Sequence, residues 1–330
     1  MADSPELATK ALESDAQDDN TAAQTSGIPG DSKPDQGAGS MGEHCVTDRP
    51  APAGQTPTGE VAKYGEVEVY ITKPADYPHQ PSKLLLLLTG GTGIHSVNNQ
   101  LQADRYAAEG FLVAMPDQFA GDPAPTSTTT LAADENMSVL EQVKLGMVNV
   151  AKSFTIDMWL ARHTPEKVLP VLERVIVAVK EEFADAVESG GGVYAVGYCF
   201  GAKYVLLLGG EGSQDANAAK TAAAEEEGMV AHGPQIKVGA IAHGTQVTRD
   251  DIAGNRVPLT IVAVENDSLF PEDVLESGRQ ALKEQNVELE VQTYPKVPHG
   301  FAVLGDYDDT SIVEAQKEAF QQMLAWLKSH

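Results

Sequence analysis

Two kinds of hydrophobic spacing alternate along residues 66–328. Apolar runs and every-second-residue alternation predict strands, whereas apolar positions three to four residues apart predict amphipathic helices. The predicted strands cover residues 66–74, 83–90, 111–117, 192–198, 237–244, 258–267 and 287–295. The predicted helices cover residues 98–110, 164–188, 200–210, 271–284 and 311–328. This alternation predicts an α/β protein whose mostly parallel central sheet carries helices on both faces.

Local signals add detail to this assignment. KLLLLLTG (83–90) is a continuous apolar run, as in a parallel strand buried on both faces, whereas EVEVYITKP (66–74) alternates as a half-exposed strand does. The long helix is expected to begin with Thr164 as N-cap and Pro165 at its first position. Pro170 is expected to interrupt its first turns, because proline lacks the backbone N–H that a helix uses.

Two stretches lie outside the alternation and are rich in small and polar residues. No aromatic residue precedes Tyr64, so residues 1–42 cannot bury enough apolar surface to offset their ordering entropy and are predicted to be a disordered acidic tail. The α/β domain is expected over 43–330, with residues 43–62 forming loop only. The Ala- and Glu-rich stretch 211–235, which also lacks aromatic residues, is predicted to be a surface insertion.

Composition and charge narrow the possible functions. The formal net charge of −25 argues against nucleic acid and anionic membrane surfaces as partners. The two cysteines, Cys45 and Cys199, do not make a disulfide framework, and no C-x-x-C spacing predicts a metal site. The acidic N-terminus lacks the features of a signal peptide, and the longest apolar run, 84–88, is far shorter than the ~18 residues that span a membrane. A cytoplasmic protein is therefore expected.

A cysteine with a glycine two residues away on each side indicates a nucleophile held on a sharp turn. In GYCFG (197–201), Cys199 lies between a predicted strand and a predicted helix. Larger side chains in place of Gly197 and Gly201 would collide with neighbouring backbone, which is the physical basis of the small-x-nucleophile-x-small pattern. The N-terminus of the following helix favours a thiolate, and the backbone N–H of Phe200 is predicted to donate to an oxyanion.

A nucleophile needs a base, and the base needs a group that orients it. In a sheet of this kind the order is nucleophile, acid, histidine, each just past the C-terminal end of a strand. Asp267 follows the strand PLTIVAVEND, and His299 follows VELEVQTYP. The sequence therefore predicts a catalytic triad of Cys199, Asp267 and His299, in which His299 takes the thiol proton as the sulfur attacks.

Several motifs resemble one enzyme family. GYCFGAK, VENDSLFP and PHGFAV resemble the three triad motifs of the dienelactone hydrolase family, within the α/β-hydrolase superfamily, and residues 98–123 resemble its second helix and following strand. WLARHTPEKV (159–168) and the PTGE near residue 57 resemble its fungal branch. The resemblance covers about residues 43–328. It implies the α/β-hydrolase fold and hydrolysis of an ester or lactone through a cysteine acyl-enzyme, without a cofactor, in the cytosol.

One stretch departs from the family pattern. The resemblance implies a carboxylate near the thiol just after the first core strand, but TGGTGIH places Gly90 there. Either thiol activation would then depend on His299 alone, or the enzyme would be weak. The backbone N–H of Gly91 is the expected second oxyanion donor. A nucleotide-binding loop is the alternative interpretation of these glycines, but the stretch lacks the full G-x-G-x-x-G and a Walker lysine.

Four further residues are candidates for substrate contact: His95, Trp159, Arg162 and His243. Three of them also have a plainer interpretation. His95 and Arg162 would then be solvated surface residues, although Arg162 can pair with a substrate carboxylate, and His243 would have a structural role beside the site. Lys203 is expected at the surface.

The sequence thus predicts a cysteine hydrolase that cleaves an ester or enol-lactone of a small molecule. Two alternatives remain open. The same triad serves a thioesterase or acyl-transferring enzyme acting on a biosynthetic intermediate, and a binding protein can keep this fold without catalysis. The expected partner is a small-molecule substrate, and the chain is expected to be a monomer or a homodimer.

Overall fold

The structure, a computed structural model, describes residues 48–125, 155–211 and 233–330. The predicted N-terminal tail, Cys45 and most of the predicted insertion lie outside the described residues, so these assignments stay predictions. Within the described ranges, no helix is both long and apolar enough to cross a membrane.

The described residues form an eight-stranded mixed sheet in the order β1-β2-β4-β3-β5-β6-β7-β8. The pairs β1–β2 and β2–β4 are antiparallel, and all the other pairs are parallel. The strands are β1 (Glu60–Tyr64), β2 (Val67–Thr72), β3 (Lys83–Leu88), β4 (Phe111–Pro116), β5 (Tyr194–Tyr198), β6 (Val238–Ala242), β7 (Leu259–Val264) and β8 (Leu289–Tyr294). The predicted mostly parallel sheet is confirmed.

Helices cover both faces of this sheet. They are α1 (Val97–Ala108), α2 (Pro165–Glu182), α3 (Ala184–Gly190), α4 (Phe200–Leu208), α5 (Arg249–Gly254), α6 (Glu272–Glu284) and α7 (Thr310–Ser329), and residues 155–162 are also helical. Helices α1 and α7 bury their apolar side chains on one face, and α2 to α6 bury theirs on the other.

The leucine run of β3 lies at the centre of the sheet, between β4 and β5. Leu84, Leu86 and Leu88 belong to the core under α2 to α6, whereas Leu85 and Leu87 belong to the core under α1 and α7. All five are at most 1% exposed. Because successive side chains of a strand point to opposite faces, an unbroken apolar run is what two buried faces require.

Two expectations at the start of the domain are wrong. Residues 60–64 form strand β1 rather than loop, because this polar segment pairs with β2, and Tyr64 packs on Phe183 with ring centroids 5.8 Å apart. Strand β2 is also not half-exposed, since only Glu68 is exposed along it. Tyr70 is buried because its hydroxyl donates to Asp104 at 2.9 Å.

The break in the long helix also differs from the prediction. Helix α2 continues through Pro170, which removes one backbone hydrogen bond without ending the helix. The helix ends instead at Phe183, whose backbone (φ −115°, ψ 44°) is not helical and which separates α2 from α3. Burial of the Phe183 ring therefore sets the boundary that the sequence pattern had assigned to the proline.

Candidate active site

Cys199 occupies a strained turn between β5 and α4. Its φ of 51° and ψ of −114° lie outside the usual regions for a residue with a side chain, and it is 3% exposed. A Cβ added at Gly197 would come within 2.6 Å of the Gly201 carbonyl oxygen, and one added at Gly201 would collide with the Leu88 carbonyl. Both flanking positions therefore need glycine for close backbone approach.

His299 and Asp267 form a buried hydrogen-bonded pair. Nδ1 of His299 lies 2.7 Å from Oδ2 of Asp267, and the two side chains are 8% and 3% exposed. The other carboxylate oxygen, Oδ1, accepts a hydrogen bond from the backbone N–H of Leu269 at 3.0 Å. Because Nδ1 faces Asp267, the other ring nitrogen, Nε2, points away from this carboxylate.

Thr245 lies between the histidine and the cysteine. Its Oγ1 is 3.1 Å from Nε2 of His299 and 3.2 Å from Sγ of Cys199. The sequence analysis missed this residue. Its position just after β6, at the same edge of the sheet as the other three side chains, was the available signal. Only His243 was predicted as a site residue in this loop.

The charge state of His299 follows from its surroundings. Burial lowers its pKa, but hydrogen bonds to Asp267 and Cys199, together with the negative charges of those groups, outweigh burial and raise the pKa to about 9. The imidazole is therefore protonated at neutral pH, directly beside the thiol.

A small pocket opens onto Cys199, and Gly90 and His243 are part of its lining. The segment 48–50 closes one side of this pocket. The Arg49 guanidinium lies 4.4 Å from the centre of the Tyr307 ring, and the Arg49 carbonyl accepts a hydrogen bond from the Asn98 side chain at 2.8 Å. Asp48 and Arg49 both line the pocket, and the sequence analysis missed them because it assigned the whole segment to loop.

The structure brings one of the four substrate-contact candidates to the triad. His243 is fully buried, and its ring centroid lies 5.0 Å from that of His299. His95 lies elsewhere: its side chain is 67% exposed, and its Nε2 is 3.5 Å from a carboxylate oxygen of Glu68.

Trp159 and Arg162 both bind Asp122. The Trp159 indole N–H donates to the Asp122 carbonyl at 2.7 Å, and its ring is buried between Phe119 and Phe200. The Arg162 guanidinium donates to both carboxylate oxygens of Asp122, at 2.9 and 3.3 Å. Their assignment to substrate contact remains an untested prediction.

The two expected oxyanion donors lie in suitable backbone. Phe200 is the first residue of α4, where a helix N–H has no partner within the helix. The peptide that carries the Gly91 N–H is held by the Gly90 carbonyl, which accepts the N–H of Gly93 at 3.3 Å. Within the described ranges, no group of three or more His, Cys, Asp and Glu side chains could hold a metal ion.

Comparisons with known proteins identify the family of this chain. The model of the dienelactone hydrolase family matches residues 67–330. Hydrolase pyvD of Aspergillus violaceofuscus is 29% identical over 82% of this chain and 90% of its own length, and Dienlactone hydrolase 1 of Gibberella moniliformis is 25% identical over 82% and 87%. Among solved structures, a candidate dienelactone hydrolase from Klebsiella pneumoniae covers 83% of this chain and 99% of its own, with 19% identity and a TM-score of 0.56.

The family match spans nearly the whole described domain, and it includes β2 to β8 and the loops that carry Cys199, Asp267 and His299. The sheet order and the positions of these loops at the C-terminal ends of parallel strands are those of the α/β-hydrolase fold. The chain belongs to the dienelactone hydrolase family and is a hydrolase that acts on ester bonds.

Proposed function

We propose that the chain hydrolyses an ester or enol-lactone of a small molecule through a thioester acyl-enzyme on Cys199. One observation carries the proposal: the thiol, the Thr245 hydroxyl, the His299 imidazole and the Asp267 carboxylate form a continuous buried chain of contacts. A nucleophile beside a base, and a base oriented by a carboxylate, is the arrangement that covalent catalysis requires.

The resting site holds a thiolate and an imidazolium. The raised pKa of His299 favours a protonated imidazole at neutral pH, and in this mechanism the proton comes from the thiol, so the sulfur is already a thiolate when it attacks. Asp267 stabilises the imidazolium through the 2.7 Å hydrogen bond. The helix dipole of α4 adds to the stabilisation of the thiolate.

The reaction then proceeds in two halves. The thiolate attacks the carbonyl carbon, and the backbone N–H groups of Phe200 and Gly91 stabilise the oxyanion. Collapse of this intermediate breaks the carbon–oxygen bond, and His299 gives its proton to the departing alkoxide or enolate. Neutral His299 then takes a proton from water, and the resulting hydroxide attacks the thioester. The carboxylic acid is released, and the thiolate is restored.

Trapping the covalent intermediate tests this mechanism. Mixing the enzyme with excess p-nitrophenyl acetate should give a burst of about one p-nitrophenol per site, and acid quenching should leave one acetyl group on Cys199. Neutral hydroxylamine should remove the group, as it does from a thioester. Intact-mass and peptide-mass measurement check both results, and Cys45→Ser should behave in the same way. Turnover without an adduct on Cys199 would contradict the proposal.

The titration of His299 gives a second prediction. Cys199→Ala removes a hydrogen bond and a negative charge that both raise the pKa, so the His299 pKa should fall below about 9. NMR of the imidazole ring as a function of pH measures the change. In the wild type, turnover of an alkyl ester should decline as the pH rises through about 9, because His299 then lacks the proton for the leaving group. An unchanged His299 pKa in the variant would contradict the ion pair.

A further inference from the structure

We propose that the Thr245 hydroxyl is a further catalytic group, which stabilises the Cys199 thiolate through a hydrogen bond and holds the His299 imidazolium beside it. In the resting state it donates a hydrogen bond to the thiolate and accepts one from the imidazolium. This inference rests on the proposed function, in which Cys199 is the nucleophile and His299 the base.

The distances place one hydroxyl within hydrogen-bond reach of both reacting atoms. Oγ1 is 3.2 Å from Sγ of Cys199 and 3.1 Å from Nε2 of His299. A hydroxyl has one proton to donate and two lone pairs to accept with. When His299 is protonated at Nε2, the hydroxyl accepts from it and its own proton is directed at sulfur. When the thiol carries the proton, both hydrogen bonds reverse.

The proton of the thiol has a direct route to the imidazole, because His299 and Cys199 are themselves joined by a hydrogen bond. As the S–H bond of Cys199 breaks, the N–H bond of His299 forms, and one proton has moved from sulfur to nitrogen. The O–H bond of Thr245 stays intact, and the hydroxyl turns its proton towards the sulfur as the negative charge forms there.

Main-chain hydrogen bonds fix Thr245 directly to the nucleophile. Its N–H donates to the carbonyl of Cys199 at 3.1 Å, while the N–H of Cys199 donates to the Ala242 carbonyl at 3.1 Å. Thr245 is 2% exposed, so bulk water does not compete for its hydroxyl. These hydrogen bonds therefore fix the position of the loop after β6 relative to the strained turn at Cys199.

Lys203 holds the same loop from its other side. This residue was predicted at the surface, but its side chain is 14% exposed and its Nζ lies 2.8 Å from Oδ2 of Asp251. It also donates to the Gln246 carbonyl at 2.9 Å. Because Lys203 is on α4, which begins directly after Cys199, it acts as a positioning residue for the Thr245 loop.

Thr260 shows what a purely structural buried threonine looks like in this fold. It is fully buried on β7, and its hydroxyl donates to Glu290 at 3.0 Å and accepts from Gln322 at 2.9 Å. The hydrogen-bond partners of its hydroxyl lie on β8 and α7, and neither is in the triad. Thr260 is therefore a matched control for the loss of a buried hydroxyl.

The test compares Thr245→Val, Thr245→Ser and Thr260→Val in the full chain. The rate of Cys199 alkylation by iodoacetamide is measured against pH, together with kcat and KM for p-nitrophenyl acetate. Thr245→Val should raise the midpoint of the alkylation profile by about one pH unit and lower kcat by roughly ten- to a hundredfold, because the thiolate loses a charge-assisted hydrogen bond. Thr245→Ser should stay within a few-fold of the wild type, and Thr260→Val should change only the melting temperature.

A failure of this inference can be distinguished from a failure of the proposed function. If Cys199 is essential and alkylated, but Thr245→Val keeps the wild-type midpoint and kcat, the hydroxyl has no catalytic role and this inference is overturned. If turnover survives complete alkylation of Cys199, the proposed function fails and the inference fails with it. Thr245→Ala, which adds no bulk, gives the same readout if the valine variant does not fold.

Discussion

Replacement of Cys199 by alanine should lower kcat for ester hydrolysis by about 10⁶-fold, the scale seen when a nucleophile of a hydrolytic triad is removed. The thiol is the only group in the proposed mechanism that bonds to the substrate, so no neighbouring side chain can replace it. The oxyanion donors would sustain whatever turnover remains. Steady-state assays on p-nitrophenyl acetate and on a simple enol-lactone measure the loss.

Chemical modification gives an independent check of the same residue. Iodoacetamide at neutral pH should label Cys199 and abolish activity in parallel, because the thiolate beside His299 is the reactive form. Cys45→Ser should be fully active and equally sensitive to the reagent. Full activity after one equivalent of label has been located on Cys199 would rule out the covalent mechanism.

Replacement of His299 by alanine should lower kcat by a similar factor of about 10⁶, and Asp267→Asn by about 10⁴. His299 carries the proton in both halves of the reaction, whereas Asp267 only orients and stabilises it through the 2.7 Å hydrogen bond. The double variant Cys199→Ala/His299→Ala should be no slower than either single variant, because residues that act as one unit are not additive. Circular dichroism should show native folding in each variant.

An exposed histidine provides the matched control. His79 lies on the surface outside the pocket, so His79→Ala should keep wild-type kcat and KM. If Asp267→Asn kept full activity, the orienting carboxylate would have to be another residue, and Glu265, which is exposed two residues earlier, would be tested next.

The features that could be predicted from the sequence depend on short local patterns of residues. Five consecutive leucines followed by glycines are typical of a strand with a core on each face, and the glycines around Cys199 reflect the close backbone approach that the turn requires. The family resemblance rested on the same short stretches, and the match to the family model over residues 67–330 confirms it.

The features that were missed depend on contacts between distant segments. Thr245 gains its place because the loop after β6 docks on the turn at Cys199, which no local pattern encodes. Segment 60–64 has little apolar character and becomes a strand only by pairing with β2. Arg49 reaches the pocket because Asn98 and Tyr307, from remote parts of the chain, hold it there.

The contact between Gly201 and Leu88 has a consequence for how this protein can change during evolution. The turn that presents the nucleophile rests directly on the backbone of the central strand, and not even a methyl group fits between them. A side chain at position 201 would therefore disturb both the fold and the placement of the nucleophile. In the segments at the pocket rim, 48–50 and 303–307, that constraint applies to Gly305, where an added Cβ would come within 2.7 Å of the Arg49 side chain, whereas the neighbouring lining residues carry side chains. Descendants of this enzyme can therefore acquire new substrates by drift at the rim while the chemistry stays fixed.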